Sequence, residues 1–278
     1  MSDPFVIRPQ SPVVDRKKWG RTDLPDGKVN SIAELEHDEV TKLIELMGTR
    51  LVWSRMAFCP CAEVNDETQQ PDPNCTKCRG RRAFHFGPRD YAAPDQVGTL
   101  TTLQRAIQAD DGGAIIRGLV QRSQNVQDAN DKLGNWVRGE MYVSVRWENL
   151  IGYYDRLTAI DATIAYSEVI TLTGTVTVPL RYRAVQVNVI ESVDRRYDMD
   201  VDYEVTADGK VRWIIDPPSG RVSVHYVMHP TFLVAEHPHV LRATPRRKKK
   251  PGLYGEPQPQ PIQAMIQLEF LPKDARTA

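Results

Sequence analysis

Short runs of alternating apolar and polar residues fill the chain from Glu140 onward, and they constrain the fold more than any other feature. Met141, Val143, Val145 and Trp147 interleave with Tyr142, Ser144, Arg146 and Glu148. Val185, Val187 and Val189 repeat the pattern, as do Val201, Tyr203 and Val205, then Val211, Trp213 and Ile215. Val222, Val224, Tyr226 and Met228 follow, and Ile262, Ala264, Ile266, Leu268 and Phe270 end the series. Successive side chains of a strand point to opposite faces, so each run describes a strand with one face in a core. Asp208-Gly209 between two runs predicts a tight hairpin, and Pro217-Pro218-Ser219-Gly220 joins the next pair. Residues 168–179 read as a Thr/Val-rich strand pair broken at Gly174. The expected fold is mainly β with minor α, an antiparallel β-sandwich or barrel over residues 140–278. Trp147, Val187, Tyr203, Trp213 and Val224 are expected to point inward. A basic, Pro-rich insert at 236–261 interrupts this domain, and its Pro-Gln tract predicts an extended polyproline II spacer.

Upstream the period changes. Ser31 with Glu34 forms a capping box, and Ile32, Leu35, Val40, Leu43, Ile44 and Met47 recur at helical spacing up to Gly48. Such a helix is amphipathic, and its apolar face is expected to pack on a core. Residues 1–30 are polar and contain Pro4, Pro9, Pro12 and Pro25, which predicts an extended N-terminal arm. In 91–139, Thr102–Ile107 fits a short helix, Asp110-Asp111-Gly112-Gly113 breaks it, and the remainder reads as a long loop or arm. The chain of 278 residues thus divides into an arm (1–30), a helix with a cysteine module (31–90), a long loop (91–139) and a β-domain (140–278). Segments as polar as 1–30, 91–139 and 236–261 bury too little apolar surface to order alone, so they are expected to lap onto neighbouring subunits.

All four cysteines fall within twenty residues: Cys59 and Cys61 in C-P-C, Cys75 and Cys78 in C-T-K-C. Each pair sends two thiolates to one centre, and together they supply the soft, tetrahedral donor set of a structural Zn2+. Four thiolates leave no open position for a reacting water, so a catalytic zinc is not expected. Disulfides, another metal or free thiols are the alternatives. His85, seven residues after Cys78, is a candidate substitute ligand, and His229, His237 and His239 with Glu236 are candidates for a second site. For these histidines the simpler reading is a place at a loop end or interface.

Arg246, Arg247, Lys248, Lys249 and Lys250 form one basic run, and Arg79, Arg81 and Arg82 flank the second cysteine pair. Either can grip phosphate or an acidic protein surface. No aromatic residue interleaves with them as a stacking platform requires. Lys+Arg and Asp+Glu both number 36, so any such contact is local rather than a property of the whole field. The opening residues lack the apolar segment and cleavage site of a secretory signal, and no run of about 18 apolar residues exists. A cytosolic start and no membrane span are therefore expected. Phosphate-binding, dinucleotide-binding, metalloprotease and nucleophile-elbow motifs are missing, as is the His/Asn set of an HNH nuclease, so no enzymatic activity is expected.

F-C-P-C (58–61) and D-P-N-C-T-K-C-R-G-R (72–81), followed by D-Y-E-V-T-A-D-G-K-V-R-W (202–213), P-P-S-G-R-V-S-V-H-Y-V-M-H-P (217–230) and H-V-L-R (239–242), resemble a group of tailed-bacteriophage virion proteins encoded among head and neck genes. The resemblance spans roughly residues 31–90 and 180–272. It implies a neck, collar or head–tail connector subunit, assembled with copies of itself in a ring between portal and tail. The implied location is the virion, assembled in the host cytoplasm, with portal, neck or tail proteins as neighbours and genomic DNA in the channel as a possible contact. A tail or baseplate component is the neighbouring reading. A zinc-knuckle nucleic-acid-binding regulator is the alternative of another class.

Overall fold

The structure, a computed structural model, describes residues 37–63, 75–78, 83–95, 97–122, 140–239, 243–247, 254–259 and 261–269. In chain order the elements begin with α1 (His37–Met47), β1 (Thr49–Phe58), a 3-10 turn (Pro60–Glu63) and β2 (Ala83–Phe86). Next come α2 (Thr102–Asp110), β3 (Ala114–Arg122), β4 (Glu140–Val145) and β5 (Arg156–Ala159). A run of short strands follows: β6 (Ile164–Thr173), β7 (Thr177–Val178), β8 (Ala184–Glu191), β9 (Arg196–Tyr197), β10 (Tyr203–Val205), β11 (Val211–Trp213) and β12 (Ser219–Met228). The chain then continues through β13 (Thr231–His239), β14 (Ala243–Arg247), β15 (Tyr254–Pro259) and β16 (Ile262–Leu268).

Six of these strands close into an antiparallel barrel in the order β1-β3-β4-β16-β13-β5, with β5 pairing back onto β1. Closure removes every edge from that sheet. Leu51, Trp53, Ile116, Val143, Leu157, Val234 and Ile266 fill the interior, each fully buried. The end of β1 runs past the barrel and pairs with β2 as a hairpin. Residues 160–230 leave after β5 and return at β13, which pairs with β5. They form an inserted unit in which the sheet β6-β12-β8-β9 and the sheet β10-β11-β7 enclose one core. Trp213 sits there, 3% exposed, with Tyr197 and Tyr203 edge-on at 5.0 and 6.0 Å.

The mainly β reading is correct, and several details of it are revised. Residues 140–269 form not one β-domain but most of a barrel plus the inserted unit. The barrel also draws β1 from the segment assigned to the cysteine module and β3 from the segment read as a loop, so the division at 90 and 139 cuts through a single sheet. Within 91–139, α2 is present and is capped by Thr101 and Gln104 as a reciprocal capping box. Both β1 and β3 lack alternation because they are covered on two sides. Leu51 and Trp53 enter the barrel, whereas Val52 and Ile115 pack outward beneath Val97, Leu100 and Ile107. Burial of both faces erases the period-two signal.

Val187, Tyr203, Trp213 and Val224 point inward as expected, but Trp147 is 38% exposed. Its strand stops at Val145, and a turn closed by Asn149 N–H to the Arg146 carbonyl carries Trp147 outward. Val185 is also exposed, because register shifts between β12 and β8 re-aim the side chains of the bulged pair. Asp208-Gly209 makes the expected hairpin: Gly209 has φ 79° and its N–H donates to the Thr206 carbonyl. β6 and β7 belong to different sheets rather than forming a pair. The Pro-Gln tract is extended, but as β15 paired with β14 rather than as a free polyproline spacer.

The capping box at Ser31 and the arm at 1–30 lie outside the described residues. α1 buries Ile44 fully but leaves Leu43, Leu46 and Met47 exposed. Gly48 follows α1 and donates its N–H to the Ile44 carbonyl oxygen at 2.8 Å, an approach that a Cβ at this position would block. No helix among the described residues is long and apolar enough to cross a membrane.

Trp213→Ala removes a buried ring that two tyrosines pack against and should cost on the order of 3–5 kcal/mol in denaturant unfolding of the inserted unit. A cost below about 1 kcal/mol would show that the ring does not organise this core.

Candidate metal centre

The first cysteine follows the last residue of β1. Pro60–Glu63 then turn as a 3-10 helix, bringing Cys61 beside Cys59. Cys75–Cys78 form a second turn, and the chain returns as β2, which pairs with the end of β1 from Arg55↔Phe86 to Phe58↔Ala83. The two cysteine pairs therefore lie together at the tip of a β-hairpin. The hairpin in turn grows from a barrel strand fixed along its length.

The four Sγ atoms lie within 4.8 Å of one another. Cys59 and Cys75 sulfurs are 3.6 Å apart, and those of Cys61 and Cys78 are 3.4 Å apart. A tetrahedral ion with bonds of about 2.3 Å to sulfur holds its ligands about 3.8 Å apart, so this cluster is of the right size to bind one metal ion. All four cysteines are free; Cys59 and Cys78 are buried and the other two partly exposed. Backbone N–H groups of Cys78, then Lys77, point at the Cys75 sulfur and draw its pKa down to about 6. A turn that stabilises a thiolate before any ion arrives is suited to metal binding, because cysteine ligates as the anion. The Lys77 ammonium lies 4.2 Å from the centroid of the Phe84 ring, pinning the second turn to β2.

Among the described residues no other sequence candidate joins this cluster. His85 turns toward the barrel, where Nε2 lies 3.1 Å from the Tyr154 carbonyl oxygen. Burial, then the Arg156 charge, hold its imidazole pKa below the usual value. His229 is buried with Nδ1 2.8 Å from the Ala162 carbonyl oxygen. His237 and His239 lie on β13. Arg246 and Arg247 lie on β14, at the base of the β14–β15 hairpin tip, while Lys248, Lys249, Lys250, Arg79, Arg81 and Arg82 lie outside the described residues.

A second concave feature, away from the cysteines, has no counterpart in the sequence motifs. A cleft of about 330 Å³ separates the barrel from the inserted unit, with Ser54, Arg156, Thr158, Tyr182, His229 and Glu269 among its lining. Arg156 reaches Asp111 at 2.7 Å and Glu269 at 2.9 Å. Burial works against its charge, yet the two carboxylates outweigh that cost and hold its pKa above the ordinary value. Arg183 of the inserted unit grips Asp110 of α2 with two bonds of 2.5 and 2.6 Å. These pairs join residues 45–113 positions apart, which no local motif records. No protein-family model and no curated protein matches the chain.

In metal-stripped protein, alkylation of Cys75 should lose half its rate as pH falls through about 6, because the reactive thiolate exists above that value. Metal loading should block it. A profile centred near 8.5, the value of an ordinary thiol, would contradict the turn geometry.

Proposed function

We propose that this chain is a structural protein of a tailed phage particle, a neck or head–tail connector subunit that joins its own copies in a ring between portal and tail. The observation that carries the reading is the C-P-C and C-T-K-C pairs set together at the tip of a hairpin that projects from a closed barrel. A particle joint needs bodies that do not deform and protrusions that keep their shape while touching a neighbour. Barrel closure supplies the first. For the second, Zn2+ is the structural ion of choice: it bonds four thiolates, has no redox chemistry of its own and replaces a core that so small a module cannot build.

The β14–β15 hairpin supports the same reading. It is a two-stranded ribbon between β13 and β16, paired with no third strand among the described residues. Pro245 faces Pro257 across it. Such a ribbon is marginal alone and gains order from a partner surface. Its basic run, Arg246 to Lys250, is suited either to acidic groups of a neighbouring subunit or to DNA in the channel. Structural assembly, rather than catalysis, accounts for a site of four thiolates with no open position.

Purified protein should contain about one zinc per chain, with sulfur as the only ligand atom in X-ray absorption and bonds near 2.3 Å. Antibody against the chain should co-sediment with tailed particles from the source culture at a fixed copy number per particle. Deleting residues 244–258 should leave a folded, soluble protein that no longer joins particles. Chain found only in the soluble fraction and bound to nucleic acid, with affinity falling steeply as salt rises, would instead favour the zinc-knuckle regulator.

A further inference from the structure

Most strand edges in this protein are blunted in one of the ways that keep edges from pairing with other chains. The barrel has none. At the far edge of the inserted unit's larger sheet β9 is two residues long, and in the smaller sheet β7 and β10 are two and three. β2 is four residues long. β14 and β15 carry Pro245, Arg246, Arg247, Pro257 and Pro259. β6 is different. It is ten residues long and pairs with β12 along its whole length, Ser219↔Thr173 to Met228↔Ile164, with no register shift. Its other side has no strand partner among the described residues. It contains no proline, lysine or arginine, and its outer face presents Ala165, Ser167, Val169, Thr171 and Thr173.

We infer that β6 pairs with β6 of a second copy, antiparallel about a two-fold axis at Val169, to make one continuous eight-stranded sheet. The axis must stand perpendicular to the sheet, since only that operation keeps the buried faces of both copies on the same side. Residues directly opposite then share a face, which leaves two registers near the strand's centre. An axis at Glu168 sets Glu168 against its own copy, and like charges directly opposite are destabilising. An axis at Val169 relieves that conflict by moving the two Glu168 carboxylates from directly opposite to diagonal positions. It sets Val169 against Val169, Ser167 against Thr171 and Ala165 against Thr173 outside. Inside it sets Glu168 against Ile170 and Tyr166 against Leu172. Glu168 keeps its own partners, the Tyr226 hydroxyl at 2.8 Å and the Arg181 N–H at 2.9 Å, so pairing orphans no charge.

This contact is isologous and closes at two copies, so it is not the contact repeated around a ring. It describes the free protein and stands or falls independently of the phage reading. Val169 is 66% exposed, which makes it a position where substitution spares the fold. The full chain, loaded with zinc, should run in light scattering at twice its mass of 31.5 kDa. Val169→Lys should run as a monomer with an unchanged circular dichroism spectrum, and Val169→Thr should remain a dimer. Val169→Cys should form an inter-chain disulfide under mild oxidation that the wild-type chain does not, because opposed Cα atoms about 4.5–5.5 Å apart lie within disulfide reach. A monomeric wild-type chain, a dimer that survives Val169→Lys, or an assembly of any size in which Val169→Cys fails to cross-link would overturn the inference.

Discussion

The pairing of β5 with β1 turns a curved sheet into a closed barrel, and both the cysteine hairpin and the inserted unit leave the barrel from these two strands. One buried carboxylate holds that seam. Asp155, just before β5, accepts the Trp53 indole N–H at 2.8 Å, the Met56 N–H at 3.0 Å and the Gly152 N–H at 2.7 Å. Trp53 is itself fully buried in the barrel. The latch therefore ties the largest interior side chain of β1 to the start of β5. It also fixes the point where β1 leaves the barrel to become an arm of the cysteine hairpin. At the other end of β5 the chain departs into the inserted unit. Both projecting parts are thus set by one seam.

The inserted unit is attached through more than its two connections. α2 lies between the bodies: Gln104 donates to the Ile160 carbonyl at 2.9 Å, and Asp110 accepts from Arg183. Arg50 holds Asp161, just after β5, with side-chain bonds of 2.5 to 3.1 Å. These pairs are partly exposed, so their individual contributions to stability are small and screened by salt. Their effect is orientational. The Arg183–Asp110 pair crosses from the inserted unit to α2, and a different seating of the unit on the barrel would separate these two charges.

What could be read from the sequence follows from how each segment is covered. β12 and β16 have one face in a core and one outside, and their alternation was legible residue by residue. β1 and β3 are covered on both faces, so Leu51 to Ser54 and Ala114 to Ile116 read as undivided runs in segments assigned to other roles. Trp147 and Val185 fit the alternation but lie beyond a strand end and at a bulge, two features that pattern alone does not mark. The cysteines were legible because four thiols within twenty residues have few other uses, whereas Asp155 was not. A lone aspartate carries no sign of the three distant or turn-forming donors that converge on it. The closure of the barrel was hidden for the same reason: β1 and β5 lie about a hundred residues apart.

The segment carrying the cysteines is rooted in the barrel rather than being a module beside it. Amide hydrogen exchange on the intact chain separates the two arrangements. Leu51–Ser54, Val143–Val145 and Arg156–Ala159 should exchange together as the slowest class, because their opening requires the barrel to open. Metal removal should speed exchange at the hairpin tip and leave that class unchanged. If Leu51–Ser54 instead exchanges quickly, or loses protection with the metal while Val143–Val145 keeps it, β1 belongs to a separate unit and is not a barrel strand.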